Sequence, residues 1–249
     1  MKISIITVCY NSAATLGDTL DSVAAQTHQT VEHIVVDGAS TDDTNEIMDR
    51  HGSHVTKYIS EPDHGIYHAM NKGVTLATGE VIGFLNADDI YADKGVLARV
   101  AEAMTRDNLD VLFGDAEFVS SNNTRRIVRR YRSNIFRPDR IGWGWMPAHP
   151  TLFLKRQIFE RSGSFRTNYR IAGDFELVAR IFQDASLRYR YLPEVLVRMR
   201  TGGISTGGLR NTLLLNREVL RACRENGIHT NVLKIMSKYP AKLIEFLRK

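Results

Sequence analysis

Two cysteines, Cys9 and Cys223, are all that the 249 residues contain, which excludes both a disulfide framework and a zinc cluster. No apolar run is long enough to span a bilayer, and Met1-Lys2 leads straight into the strand-like ISIITVCY without a leader pattern. The expectation from these absences is a protein of the reducing cytoplasm. Glycine-rich nucleotide signatures are missing as well. No G-x-G-x-x-G follows Val8, which removes the dinucleotide dehydrogenases. TVCYNSAATL also lacks the glycine- and lysine/arginine-rich loop that a sugar nucleotidyltransferase needs. Repeats, low-complexity segments and linkers are absent. The length suits one large α/β domain or two small ones. Net charge is +5 with the basic residues gathered in the second half, which points to a polyanionic partner or a membrane surface without choosing between them.

What is present centres on VIGFLNADDIY, residues 81–91. Val81–Leu85 reads as a strand buried on both faces, and it ends in Asn86-Ala87-Asp88-Asp89. Open α/β sheets bind ligands at the carboxyl edge of their strands. Adjacent carboxylates there are costly unless a cation neutralises them, and Mg²⁺ or Mn²⁺ is usually held by one or two carboxylates plus substrate phosphates. An isolated Ala-Asp-Asp is equally well read as a solvated turn.

Around this stretch the chain alternates strands and helices. Lys2–Val8 is a strand, followed by a helix capped by Asn11 or Ser12 with Leu16, Leu20 and Val23 on its inner face. Val31–Val36 is a second strand, Thr41–Thr44 opens a helix that Gly52 stops, and Lys57–Ser60 is a third strand. Ile66, Met70, Gly73 and Ala77 line the helix before Val81. This order predicts a parallel sheet with right-handed crossovers. After a helix at residues 96–104, Asp110–Phe113 is a strand, and Ala116–Ser120 with Arg125–Tyr131 forms an arginine-rich hairpin. Phe136–Pro150 reads as loop, Thr151–Lys155 as strand, Gly173–Asp184 as helix, and Leu187–Leu192 and Val195–Arg200 as two short strands. Helices at Leu209–Glu225 and Asn231–Arg248, the second broken at Pro240, end the chain.

The loops Thr7–Asn11, Asp37–Ser40, Asp63–Lys72 and Asn86–Asp89 converge on one sheet edge in such a fold. Asp37 is suited to accept hydrogen bonds from a base or ribose, and Lys72 to meet phosphate. Each has a plain alternative: Asp37 as a cap for the Thr41–Thr44 turn, Lys72 as a solvated helix residue.

SIITVCYNSAATL, VVDGASTDDT, SEPDHGIYHAMNKGVTLATGE, FLNADD, HPTLFLKR and GDFELVARI follow one another in this order. Together they resemble the inverting, nucleotide-sugar-dependent glycosyltransferases of family 2, a GT-A fold, and within it the small bacterial members that build surface polysaccharides and glycolipids. The resemblance covers residues 2–205 and implies a hexosyltransferase-type enzyme. Its expected domain of residues 1–205 divides into a nucleotide-sugar half (1–93) and an acceptor half (94–205), with a helical extension over 206–249. It implies a nucleotide site of Thr7, Cys9, Asn11, Asp37, Lys72, Asn86, Ala87 and Asp88. Asp88 and Asp89 would hold Mn²⁺ or Mg²⁺, and Asp174 would be the catalytic base. The implied partners are a UDP-sugar and a saccharide or lipid-linked acceptor, with no nucleic acid. Asp88 and Asp174 would face each other across the bond being broken.

Three positions depart from the family pattern. Asn86 stands where the DXD motif begins with aspartate, Gly173 replaces the first acid of an ED pair, and His68 replaces a common aspartate. Asn86 leaves a catalytically silent nucleotide-sugar-binding homologue as the rival reading. Glu176 is the reserve base, although it points about 200° from Asp174 on a helix. Trp143, Trp145 and His149 are the acceptor-side candidates, His149 having a structural hydrogen bond beneath Trp145 as its alternative. The glycines beside the tryptophans, and Gly202-Gly203-Ile204-Ser205, are candidate lids. Lys234, Lys238 and Lys242 beside apolar residues describe either an interfacial helix on anionic lipid or a terminal helix packed on its own domain.

Overall fold

A computed structural model describes residues 1–202, 208–237 and 239. Strand β1 (Ile3–Cys9) is buried along its whole length. Its alternating residues serve opposite faces, Ile3 and Ile5 on one and Ile6 and Val8 on the other. On either side it pairs in parallel with β2 (Val31–Asp37) and β4 (Val81–Phe84), and β3 (Lys57–Ser60) adds to β2 in the same sense. These registers bring Cys9, Asp37, Ser60 and Phe84 to one edge.

The sheet continues from β4 through β8 (Phe153–Lys155), β6 (Val111–Ser120) and β9 (Tyr189–Arg200) to β5 (Asp89–Tyr91). The pairings of β8 and β5 are antiparallel, and β6 pairs in parallel with β9. Strand β7 (Asn123–Tyr131) returns along β6 to complete the hairpin.

The sheet is mixed, parallel from β3 to β4 and largely antiparallel beyond, and apolar residues cover both its faces. Helices α3 (Ile66–Leu76), α5 (Arg156–Ser162), α6 (Gly173–Ile181) and α7 (Leu209–Glu225) contribute Met70, Phe159, Phe175, Val178, Val219 and Cys223 to one layer. Helix α4 (Val96–Arg106) closes the other through Leu97, Val100 and Met104. Leu16 and Leu20 of α1 (Leu16–Ala24) pack with Met48 of α2 (Thr44–His51) in a third cluster. No described helix is long and apolar enough to cross a membrane.

Several local expectations are corrected. Helix α1 begins at Leu16, after Thr15, and neither Asn11 nor Ser12 caps it. Asn11 instead takes a positive φ of 50° and accepts the Thr41 N–H at 2.9 Å, tying the first two loops together. Asp89, read as the end of the loop Asn86–Asp89, opens β5 instead. The strands expected at 187–192 and 195–200 are the single β9, and β6 likewise joins 111–113 to 116–120. Pro193 falls where the β6–β9 register shifts between Phe113 and Asp115, so its missing N–H costs no ladder bond. Helix α5 had no signal that the periodicity reading used. Of the final helix, α8 (Val232–Met236) is described, with the Asn231 side chain accepting the Lys234 N–H at 2.8 Å. The expected helix beyond it and the Gly203-Ile204-Ser205 lid lie outside the described residues.

Candidate active site

The nucleotide side takes shape from the loops after β1, β2 and β3, and several expected ligand contacts are occupied by the protein itself. Asp37 is fully buried and accepts from the Ser40 N–H at 2.9 Å, from the Ser40 hydroxyl, and from the Ser60 hydroxyl at 2.6 Å. These contacts engage both of its oxygens in fixing the turn after β2. Thr7 is sealed in the sheet at 3.0 Å from His33 Nε2. Burial pulls His33 down to about 3, which leaves it neutral. Cys9 is buried too, its thiol pushed up by burial and then by Asp37, so it is protonated and unreactive. Lys72 pairs with Glu61 at 2.8 Å and donates to the Pro62 carbonyl at 3.0 Å. Its charge therefore braces the loop ahead of α3.

Two residues not singled out in the sequence reach solvent here. Tyr10 is 62% exposed. A Cβ on Gly38 would lie 2.7 Å from Asp63 Oδ2 and 3.4 Å from the Tyr10 ring, so ring, glycine backbone and carboxylate meet at one point. A flat aromatic surface beside an acceptor is the chemistry that holds a nucleobase. The readable signals were a tyrosine at the end of a buried strand and a glycine directly after Asp37.

Asp88 lines a cleft of about 810 Å³ between the start of α1 and the tip of the β6–β7 hairpin. Asp18 and Arg200 share its wall, and Asn122, Thr124 and Arg125 stand on the other. Arg200 donates to the Asp88 carbonyl at 2.9 Å and pairs with the Asp18 carboxylate. Burial raises the Asp88 pKa, and the Arg200 guanidinium opposes that shift. Asp89, expected as a second metal ligand, is buried in β5 and takes the Asn86 amide at 3.0 Å. Its pKa is held well up by burial and then by the charge of Asp88. Asn86 therefore supports Asp89 inside the sheet, Ala87 is buried beside them, and the cleft sees one carboxylate from this motif. No set of three or more His, Cys, Asp or Glu side chains is placed for a metal among the described residues. One desolvated carboxylate with room for phosphate oxygens nonetheless matches how hard divalent ions are held.

Asp174 lies in the first turn of α6, outside the wall of that cleft. Its Oδ1 accepts the Phe175 N–H at 2.8 Å, and the Tyr67 hydroxyl stands 3.4 Å away while donating to the Ile171 carbonyl at 2.7 Å. Burial raises the Asp174 pKa; His149, the Phe175 N–H and Tyr67 pull against that. His149 is in turn lowered by burial. It stacks on Phe84 at 5.3 Å, and its Nε2 is buried with no partner among the described residues. Phe84 ends β4 four residues before Asp88, and His149, stacked on it, acts electrostatically on Asp174.

The departure at 173 has a local cause. A Cβ on Gly173 would lie 2.7–2.9 Å from the Tyr67 ring, so that ring fills the space a side chain would need. Glu176 drops out as reserve base: it is fully buried and paired with Arg180 at 2.9 Å and Arg166 at 3.2 Å. The tryptophans part company because a 3-10 turn over Pro138–Trp143 and a left-handed Gly144 replace the extended chain. Trp145 is buried and Trp143 is 42% exposed.

The sheet has a GT-A-type fold, with one acid after β4 and a second opening α6. The chain belongs to glycosyltransferase family 2: the family model described as Glycosyl transferase family 2 matches residues 4–163. It is 33% identical over 223 residues to a PGL/p-HBAD biosynthesis glycosyltransferase of Mycobacterium bovis, covering 88% of this chain and 82% of that one. An uncharacterized glycosyltransferase of Mycobacterium tuberculosis is 36% identical over 182 residues, 72% of this chain and 68% of the other. Among solved structures, residues 1–349 of S. aureus TarS superpose with a TM-score of 0.68 at 20% identity, over 89% of this chain and 65% of TarS. The mannosyltransferase PcManGT of Pyrobaculum calidifontis, in complex with GDP-Man and Mn²⁺, gives 0.64 at 20% identity, over 88% and 64%. The chain thus spans about two thirds of those structures.

Proposed function

We propose that the enzyme transfers a sugar with inversion from a nucleotide-diphosphate donor, a UDP-sugar, to a hydroxyl of a saccharide or lipid-linked saccharide. The observation that carries this reading is Asp174: a desolvated carboxylate opening α6, held by Phe175 and Tyr67 beside a neutral histidine. TarS has been solved with UDP-GlcNAc and with UDP, which supports the choice of donor. Tyr10, Gly38 and Asp63 would receive the base. Asp88 would hold a divalent ion, with the diphosphate completing its shell; when bound, such an ion neutralises the departing nucleoside diphosphate. Asp174 takes the acceptor hydroxyl's proton as that oxygen attacks the anomeric carbon from the face opposite the leaving group. The unpartnered Nε2 of His149 would accept a hydrogen bond on the acceptor side, and the exposed Trp143 would meet the acceptor sugar. The catalytic domain is residues 1–205, its 1–93 half binding donor and its 94–205 half acceptor, with 206–249 as an extension.

The test is a thermal-shift screen of UDP, GDP and their sugars, with and without Mn²⁺, followed by donor turnover with saccharide acceptors. Stabilisation by UDP that Mn²⁺ strengthens is the expected result. Stabilisation by GDP alone would reassign the nucleotide.

The same reading includes peripheral attachment to anionic lipid at the cytoplasmic face. Helix α8 exposes Val232, Leu233 (81%) and Met236, and Lys234 lies 5.5 Å from the exposed Trp143 ring. Apolar side chains ringed by a cation suit interfacial insertion. Leu233→Glu is expected to abolish co-sedimentation with phosphatidylserine-containing vesicles while the melting temperature stays within about 2 °C, as for exposed substitutions. Equal sedimentation of both proteins would count against attachment.

A further inference from the structure

We propose that Glu218, on the C-terminal helix α7, positions the catalytic base. The claim rests on Asp174 being that base, as proposed above. Glu218 is 7% exposed and lies beyond residues 4–163, which the family model matches. One of its oxygens accepts the Arg170 N–H and the other the N–H groups of Ile171 and Ala172, all at 2.8 Å. A single carboxylate thus binds three successive peptide donors immediately ahead of α6. Hydrogen bonds to an ionised acceptor are roughly twice as strong as neutral ones.

The opposite side of the same stretch is held as well, because the Ile171 carbonyl accepts the Tyr67 hydroxyl at 2.7 Å. Residues 170–172 are therefore pinned from α7 by their N–H groups and from α3 by a carbonyl, and Asp174 is two residues further on. Helix α7 is itself fixed. Val219, Ala222 and Cys223 are buried in the main core, and Glu225 accepts from Arg166 at 2.7 Å and from the Tyr169 hydroxyl at 2.8 Å. Glu218 touches neither the cleft nor the reacting groups named above; its action runs through the backbone that presents Asp174. The extension is then a structural part of the active site.

The experiment uses the full-length protein with Glu218→Ala, Glu218→Gln, Asp174→Asn and the Asp174→Asn/Glu218→Ala pair. A base displaced by about 1 Å can cost up to about 100-fold in rate. Glu218→Ala should therefore lower kcat by about 10- to 100-fold, leave the UDP Kd within about twofold, and speed amide exchange across residues 170–174. Glu218→Gln keeps one acceptor oxygen and faces the Arg170 N–H with an amide NH₂, a donor against a donor. It should fall between the two, about three- to tenfold down in kcat. In the Asp174→Asn background the alanine substitution should cost less than about threefold more, since residues acting as a unit are not additive.

An unchanged kcat and unchanged exchange in Glu218→Ala overturns the proposal. So does an equal fold-loss in both backgrounds. Should the alanine variant not fold, wild-type kcat and exchange in Glu218→Gln decide the same way. A near-wild-type rate for Asp174→Asn alone sinks the base assignment, and the positioning role with it, whatever the exchange at 170–174. Loss in that single variant combined with full activity in Glu218→Ala sinks only the role of Glu218.

Discussion

Asp174→Asn is expected to bind UDP as the wild type does and to turn over at least about 100-fold more slowly. General-base catalysis contributes about 10²–10⁴-fold, and a hundredfold is about 2.7 kcal/mol of barrier. The substitution is close to isosteric and keeps an oxygen for the Phe175 N–H, so the loss is of basicity and not of structure. The pH dependence separates these further. Burial raises the carboxyl above its ordinary value, and only the ionised form can take a proton. Turnover should therefore fall as pH drops through that raised pKa, with an acid limb above the usual carboxylate range. The asparagine variant should lose that limb. A steady-state assay across pH with UDP release as readout checks both; an unchanged rate or an unchanged limb would remove Asp174 from the role.

Asp88→Asn should be nearly as damaging by a different route. Charge stabilisation at a leaving group is worth several kcal/mol when a divalent ion supplies it, or about 10²–10³-fold at 1.36 kcal/mol per tenfold. Asp89 is turned into the sheet against Asn86 and cannot substitute. The variant should retain thermal stabilisation by UDP alone and lose the extra stabilisation that Mn²⁺ gives. Retention of the Mn²⁺ increment would mean that Asp88 is not the ligand. The companion Asp89→Asn should behave differently, leaving the Mn²⁺ increment intact without loss of folding stability, because Asp89 is buried and an amide oxygen still accepts from Asn86.

The parallel half of the fold was legible because buried strands and amphipathic helices alternate there without interruption, and Lys57–Ser60 was read to the residue. The acceptor half was harder. Pro193 and Gly114 look like strand ends in the sequence, yet both sit in one bulge between β6 and β9, which only the tertiary pairing reveals. Side-chain orientation was the larger loss at the site. Sequence spacing places Asp37, Asp88 and Asp89 at a common edge, but it cannot say that Ser40 and Ser60 engage the first or that Asn86 turns the third inward. Glu218 was invisible for the same reason. Nothing near it in the chain names its partner across the fold.

The contact between Tyr67 and Gly173 has an evolutionary corollary. Any side chain at 173 must expel the ring, and shrinking the ring would leave a void beside the acid while removing the hydroxyl that grips Ile171. Neither position can drift alone without damage, so the pair should change together among relatives or not at all.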